Sequence, residues 1–488
     1  MIERSESGRP NHPERATVVG LDFGSTTSSM MMVEVGVSRH SVTGRMSFSN
    51  PTMLLRTDPV LTPFQGDQLD SAALSALLDN WLDQLTDSES EARISPGTEI
   101  FAGASLITGL AARSDNAERI SEQVLQRLNG SLIATADDPK LESWLAFMGS
   151  CGLLSRARPQ SRVINLDIGG GTTNPALGIN GQVSHCGCHY IGARHIQFEP
   201  GSYRLRSLSP FAERLFQLLD IPLQITELSR TQVNHIIRWM VSSLEALVTP
   251  GDDWFARQEH RIFEQVGFAV DASDTDTLIT FSGGVGELIY AFLQTGHWPA
   301  TTHFGDLGID LAQAIVASPV LSRNLDVSPA TAGRATVMGL TLHSCDISGS
   351  SLYLPAPACL PLQNLPIVAR IPIDQPFDQL QPYLELARGC SGGACLQLLG
   401  ALSTLDQVRQ LAEATQSALA DVNFPSSIPL VFLAENNIGK TLGNYLTQWG
   451  KLPYQILVID EIPDRNARFI HVGNPFQSIV PVSFFGMG

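Results

Sequence analysis

The sequence of 488 residues contains no long hydrophobic run: no stretch approaches ~18 uninterrupted apolar residues, so no transmembrane helix is expected. Charge is sparse, at 16%, and basic charge sparser still, with 31 Lys and Arg against 48 Asp and Glu. The net charge of −17 repels phosphate backbones and anionic lipid surfaces, which disfavours nucleic-acid and membrane partners. It does not exclude ATP, because nucleotide sites rely on backbone N–H groups and Mg²⁺ as much as on cations. Cysteines number seven, an odd count (Cys151, Cys186, Cys188, Cys345, Cys359, Cys390 and Cys395). No disulfide framework is expected, and reduced thiols point to the cytoplasm. The first 16 residues, MIERSESGRPNHPERA, lack the apolar core of a secretory signal and read as a short flexible tail. No segment is low-complexity. The 43% of hydrophobic residues is ample for a packed core and for two to four domains.

Two glycine-rich stretches share one grammar: VVGLDFGSTTSS from residue 18 and VINLDIGGGTTN from residue 163. Each is an apolar run, an Asp, an apolar residue, glycine and then small hydroxyl residues. Each predicts a strand, a tight turn and a second strand, and their recurrence points to a duplicated unit. A phosphate loop needs N–H groups converging on one concavity with no Cβ in the way. Gly24 with Ser25, Thr26 and Thr27 fits in the first copy; Gly169, Gly170 and Gly171 with Thr172 and Thr173 fit in the second. Asp22 and Asp167, each at a strand end, are placed to hold Mg²⁺ through water. A third stretch, ITFSGGVGEL at 279–288, predicts a buried strand and a helix start, where Gly283 and Gly284 let backbone approach a base or ribose.

Between these motifs, apolar spacing predicts helices over 68–87, 115–127, 138–154, 207–219, 226–247 and 331–342, with strands at 98–109 and 130–136. After a proline-rich patch, PAPACLPLQNLP at 355–366, a helix over 405–421 and strands at IPLVFLAE, QILVIDEI, RFIHVGNP and SIVPVSFF predict a further α/β unit. The expected division is a tail at 1–16, a first lobe at 17–160, a second at 161–345 and a C-terminal module at 346–488.

In this order, the three motifs resemble the phosphate-1, phosphate-2 and adenosine motifs of the actin, Hsp70 and sugar-kinase superfamily. The resemblance implies an α/β fold of two ribonuclease-H-like lobes, each with a mixed five-stranded sheet, with ATP and Mg²⁺ between them. DIGGGTTN resembles the Hsp70-like ATPases more than the sugar kinases. In that group a helix before the second hairpin orients the attacking water; Glu142 occupies that place and joins Asp167 as a candidate catalytic residue.

Four stretches narrow the likeness: GASLITGLAARSDNA (103–117), KLESWLAFMG (140–149) leading into the second motif, RATVMGLTLHSCDISGSSLYL (334–354), and LVFLAENNIGKTLGNYL (430–446) with FIHVGNPF. Together they resemble the ethanolamine ammonia-lyase reactivating factors, the EutA family. One departure is Leu110, where the family tends to carry an acidic residue. The resemblance implies a chaperone with weak ATPase activity. It would bind the stalled lyase and release damaged cobalamin so that fresh adenosylcobalamin, the client's cofactor, can enter. Homo-oligomer formation and association with a bacterial microcompartment stay open. A small-molecule kinase of the same fold and a non-catalytic ATP-binding scaffold are the competing readings. Two near-motifs carry less. AENNIGKT (434–441) misses a P-loop because Ala434 stands where glycine is required, and HCGCH (185–189) lacks the second ligand pair of a zinc site.

Overall fold

The computed structural model describes residues 14–487, except 25–26, 40–44, 66–67, 85–99, 108–115, 117–123, 125–131, 137, 271–276, 330–334, 357–358, 376, 378–379 and 403. Residues 1–13 of the expected tail, Ser25, Thr26, Leu110 and most of the helix expected at 115–127 lie outside them, whereas residues 14–16 open the first strand.

Alternating apolar residues build two sheets of one pattern. In the first, β1 (Glu14–Phe23) pairs antiparallel with β2 (Thr27–Arg39) and parallel with Ile100–Ile107. The order is Met46–Arg56, β2, β1, Ile100–Ile107, Leu132–Ala136, with the short strand Val60–Leu61 added beside β2. In the second, β3 (Arg162–Ile168) pairs antiparallel with β4 (Thr173–Ile179) and parallel with β5 (Thr277–Ser282). Its order is Glu264–Val266, Cys188–His189, β4, β3, β5, with Gln182–Cys186 added beside β4. An antiparallel hairpin with a parallel strand joined to its first member is the ribonuclease-H pattern, and it occurs twice. Each five-strand path carries a sixth short strand. The second sheet has a single strand, β5, on the parallel side of β3 among the described residues.

Two helices exchange places between the lobes. Helix α1 (Pro139–Ser150) follows the first sheet, yet it lies on β4: Ser143 Oγ donates to Pro175 O at 2.6 Å. Helix α3 (Ala335–His343) follows the second sheet yet lies on β1, where a Cβ at Gly20 would come within 2.7 Å of Val337 O. The two helices cross backbone to backbone. A Cβ at Gly149 would sit 2.6 Å from Gly339 N, and one at Gly339 would sit 2.7 Å from Leu145 C. No larger residue fits that crossing without moving a helix.

The remaining chain forms a seven-stranded sheet. Leu362–Pro372, Ala394–Leu399, Leu430–Leu433 and Ile456–Ile459 run parallel, and Ala467–Val472, Pro481–Met487 and Cys345–Ile347 extend it antiparallel. Helices Leu380–Arg388, Leu405–Asp421 and Gly439–Leu446 connect the parallel strands. Leu396, Phe432 and Val458 face one core while Cys395, Val431 and Leu457 face another, so these strands read as unbroken apolar runs. The strand Leu362–Pro372 starts inside the proline-rich patch that the sequence marks as a break. Its ladder is irregular around Leu362–Leu365 and Ile367–Ala369, and such bulges accommodate Pro366. The module is tied to the first lobe: Gly486 N donates to Asp138 Oδ2 (2.7 Å), the N-cap of α1, and Glu461 lies 3.6 Å from Arg39 on β2. Within the module Arg465 makes a bidentate pair with Asp346.

Candidate nucleotide site

The two hairpins bring Asp22 and Asp167 to facing positions. Asp22 is the penultimate residue of β1, opposite Ser29; Asp167 holds the same place in β3, opposite Asn174 and beside Ser282 of β5. Asp167 is 5% exposed and accepts a hydrogen bond from Ser282 Oγ at 2.5 Å. Asp22 Oδ1 is enclosed and has no hydrogen-bond partner among the described residues. Burial first, and the Asp167 charge second, push the Asp22 carboxyl up to about 7. Burial pushes Asp167 up to about 6 against the Ser282 hydroxyl. A half-buried carboxylate raised by the charge of a buried one, and carrying an oxygen without a partner among the described residues, forms a site short of positive charge. A divalent cation held through water fits that deficit.

The loops around them are shaped by backbone bonds. In the first, Gly24 N donates to Thr27 O (3.0 Å), and Thr62 Oγ1 donates to Gly24 O (2.7 Å). Thr27 is exposed at the start of β2. In the second, Gly169 N donates to Thr172 O (2.9 Å). Gly169 O and Gly170 O accept from Ala193 N and Arg194 N, which fastens the loop to the turn at Gly192. Gly171 and Thr172 are buried, and Asn174 Nδ2 donates to Thr172 Oγ1 at 3.4 Å. Thr173 is fully buried and its hydroxyl donates to Ile191 O (2.6 Å), so it reaches a ligand only through its backbone. Gly283 follows β5 at φ +74 and opens helix α2 (Gly283–Thr295); a Cβ there would lie 2.6 Å from Ile168 O. Gly284 has open space beside it. Glu142 is half-buried in the first turn of α1, one residue before the Ser143 that bonds Pro175 on the second hairpin.

Sequence reasoning missed the chain of hydroxyls and amide behind Asp167. Asn165 Nδ2 donates to Ser282 Oγ (2.8 Å), Thr280 Oγ1 donates to Asn165 Oδ1 (3.2 Å), and Cys151 Sγ lies 3.0 Å from Thr280 Oγ1. The available signal is polar residues (Asn165, Thr280, Ser282) inside otherwise apolar strands. Their partnership depends on the parallel register of β3 and β5. The near-P-loop is also clarified: Gly439 N donates to the buried Asp460 Oδ2 (2.8 Å), so the protein's own carboxylate occupies that helix start.

Two ribonuclease-H-like lobes exchanging helices, with an aspartate-tipped hairpin from each facing the other, define the two-lobed actin/Hsp70 class of fold. Within that class the chain belongs to the EutA family, whose model, described as ethanolamine utilisation protein EutA, matches residues 14–485. The chain is similar to the ethanolamine ammonia-lyase reactivase EutA of Salmonella typhimurium, with 30% identity over 476 residues, 95% of this chain and 97% of that protein. It is equally similar, at 30% over 483 residues with the same coverage, to the protein of that name in Escherichia coli. Among solved structures, the ethanolamine utilization protein EutJ of Carboxydothermus hydrogenoformans is 14% identical over 68% of this chain and 91% of its own, with a TM-score of 0.29. Likeness at that level adds nothing to the strand order described above. Among the described residues, no helix is long and apolar enough to cross a membrane.

Proposed function

We propose that this chain is an ATP-dependent reactivating chaperone for an adenosylcobalamin-dependent ethanolamine ammonia-lyase. Family membership over nearly the whole chain supports the client, and the facing pair Asp22 and Asp167 supports the engine. Mg²⁺ would sit between those carboxylates through water. Gly24–Thr27 and Gly169–Thr173 would receive the phosphates, and Gly283 and Gly284 would border the adenosine. Bound ATP supplies the free-energy difference between two lobe angles. The chain's own residues convert that difference into motion: each hairpin belongs to one lobe, so a ligand gripped by both holds the lobes at one angle. Release of that grip lets α1 and α3 turn about their glycine contact and carries the C-terminal module with them. The client is opened, the damaged cobalamin leaves, and intact adenosylcobalamin enters. Glu142, at the start of α1, is the residue we assign to orient the water that attacks the terminal phosphate. The units 17–160, 161–345 and 346–488 are the moving parts in this reading, in a cytoplasmic protein.

The experiment is Mg²⁺-dependent ATP binding and hydrolysis by Asp167→Ala, with circular dichroism as the folding control. Hydrolysis is expected to fall by at least about 100-fold while the fold is kept. Turnover near that of the unaltered protein would remove Asp167 from the site.

A further inference from the structure

A cavity of about 1090 Å³ lies on the far side of α1 from the candidate nucleotide site. All three parts of the chain border it: the start of Met46–Arg56 from the first lobe, Gln182–Cys186 from the second, the loop after Asp460 from the C-terminal module, and both exchanged helices. On α1 the lining residues are Lys140, Trp144 and Met148, which share one face at four-residue spacing. Glu142 is about 200° around the helix from Lys140, so the cavity and the proposed water-orienting residue occupy opposite sides of one helix. Strand β4 measures the separation. The turn that follows it, Asn180 and Gly181, lines the cavity, and the strand runs about 17 Å from there back to Asn174, which faces Asp167 on β3.

The acids in the wall are already neutralised. Asp346 is held by Arg465, Glu461 accepts from Asn437 (2.7 Å) and lies 3.6 Å from Arg39, and Asp464 is 3.3 Å from Arg370. Two cations differ: among the described residues, neither Lys140 nor Arg156 has an ion pair or a hydrogen bond. The stem of Arg156 lies over Gly181, whose added Cβ would meet its Nε at 2.6 Å, so its guanidinium is set at the start of Gln182–Cys186. The excess is felt locally. Burial first, then the charges of Arg156 and Arg465, push the half-buried His343 ring down to about 4. In a chain of net charge −17 this is a positive pocket.

The strand Gln182–Cys186 pairs only with β4, so its outer edge is free among the described residues, and all five of its residues line the cavity. A free edge is a template for one more strand. We propose that the cavity takes an extended acidic segment of a partner protein, added to the edge of Gln182–Cys186 with its carboxylates at Lys140 and Arg156. An occupant would touch both lobes, the exchanged helices and the C-terminal module together. Its affinity therefore depends on the lobe angle, and by linkage it biases that angle in return.

The test uses the full chain and a fluorescein-labelled Glu-Val-Glu-Val-Glu-Val peptide, read by fluorescence anisotropy. Saturable binding is expected. Lys140→Glu and Arg156→Glu are each expected to weaken it by about tenfold or more with unchanged melting temperature. N-methylation of alternate peptide amides should weaken it similarly, because it removes strand pairing. Absence of binding, equal binding of the matching lysine peptide, or equal binding by the two charge-reversed variants would overturn the proposal. Full competition by tripolyphosphate at the peptide's own concentration would overturn the peptide in favour of a small anion.

Discussion

Asp22 and Asp167 cost the empty protein stability, and the sign follows from their raised values. A free carboxyl titrates at ~3.9. Between that value and about 7, the folded chain retains protons that the unfolded chain has lost. Stability therefore falls as pH rises through this window, and the whole penalty stands above it. Asp22→Asn is expected to raise the melting temperature at pH 8, on the order of 2–4 °C for each kcal/mol relieved, and to change it little at pH 4.5. A gain independent of pH, in thermal scans at both values, would contradict this account. Mg²⁺-dependent nucleotide binding should run the other way, strengthening from pH 5 to pH 8 as the pair ionises, and should be lost in the same variant. Ser282→Ala removes the hydrogen bond that opposes the rise at Asp167. It should move the midpoint of that binding profile upward, and an unmoved midpoint in calorimetric titrations would exclude a positioning role. The two aspartates are legible in the sequence because each sits between an apolar strand and glycine. Ser282 and Asn165 are not, because a serine and an asparagine in apolar strands look alike whether they face each other or a neighbouring backbone.

Helices and strands repeat this division. Local signals mark α1 well: Asp138 caps it, accepting from Leu141 N at 3.1 Å, and Pro139 follows. Helix Leu405–Asp421 matches its sequence-expected span, fixed by the Thr404–Gln407 capping box. Leu362–Pro372 is hidden, because prolines mask its alternation and only the bulged pairing accommodates them. The crossing of α1 and α3 is equally hidden, since Gly149 and Gly339 stand 190 residues apart (339 minus 149). At this scale we predict that Gly339→Ala costs about 1–3 kcal/mol in urea unfolding, because backbone rather than a side-chain tip must yield. A loss below about 0.5 kcal/mol would mean the helices do not meet as closely as described.

At the scale of the whole molecule, two lobes and a third sheet share the two exchanged helices. The C-terminal module reaches α1 through Gly486 and Asp138, and the first lobe through Arg39 and Glu461. In the proposed cycle, a nucleotide gripped by both hairpins therefore acts on the helices that also border the cavity and contact the module. The sequence shows the duplication and the third unit, but not how the units join, because those contacts pair residues hundreds of positions apart. The most direct test of the central claim is recovery of lyase activity. Ethanolamine ammonia-lyase from the same source is inactivated with hydroxocobalamin. It is then given this protein, ATP, Mg²⁺ and adenosylcobalamin, and ammonia release is followed. The account predicts recovery that requires ATP and fails with Asp167→Ala; no recovery, with nucleotide binding intact, would contradict it.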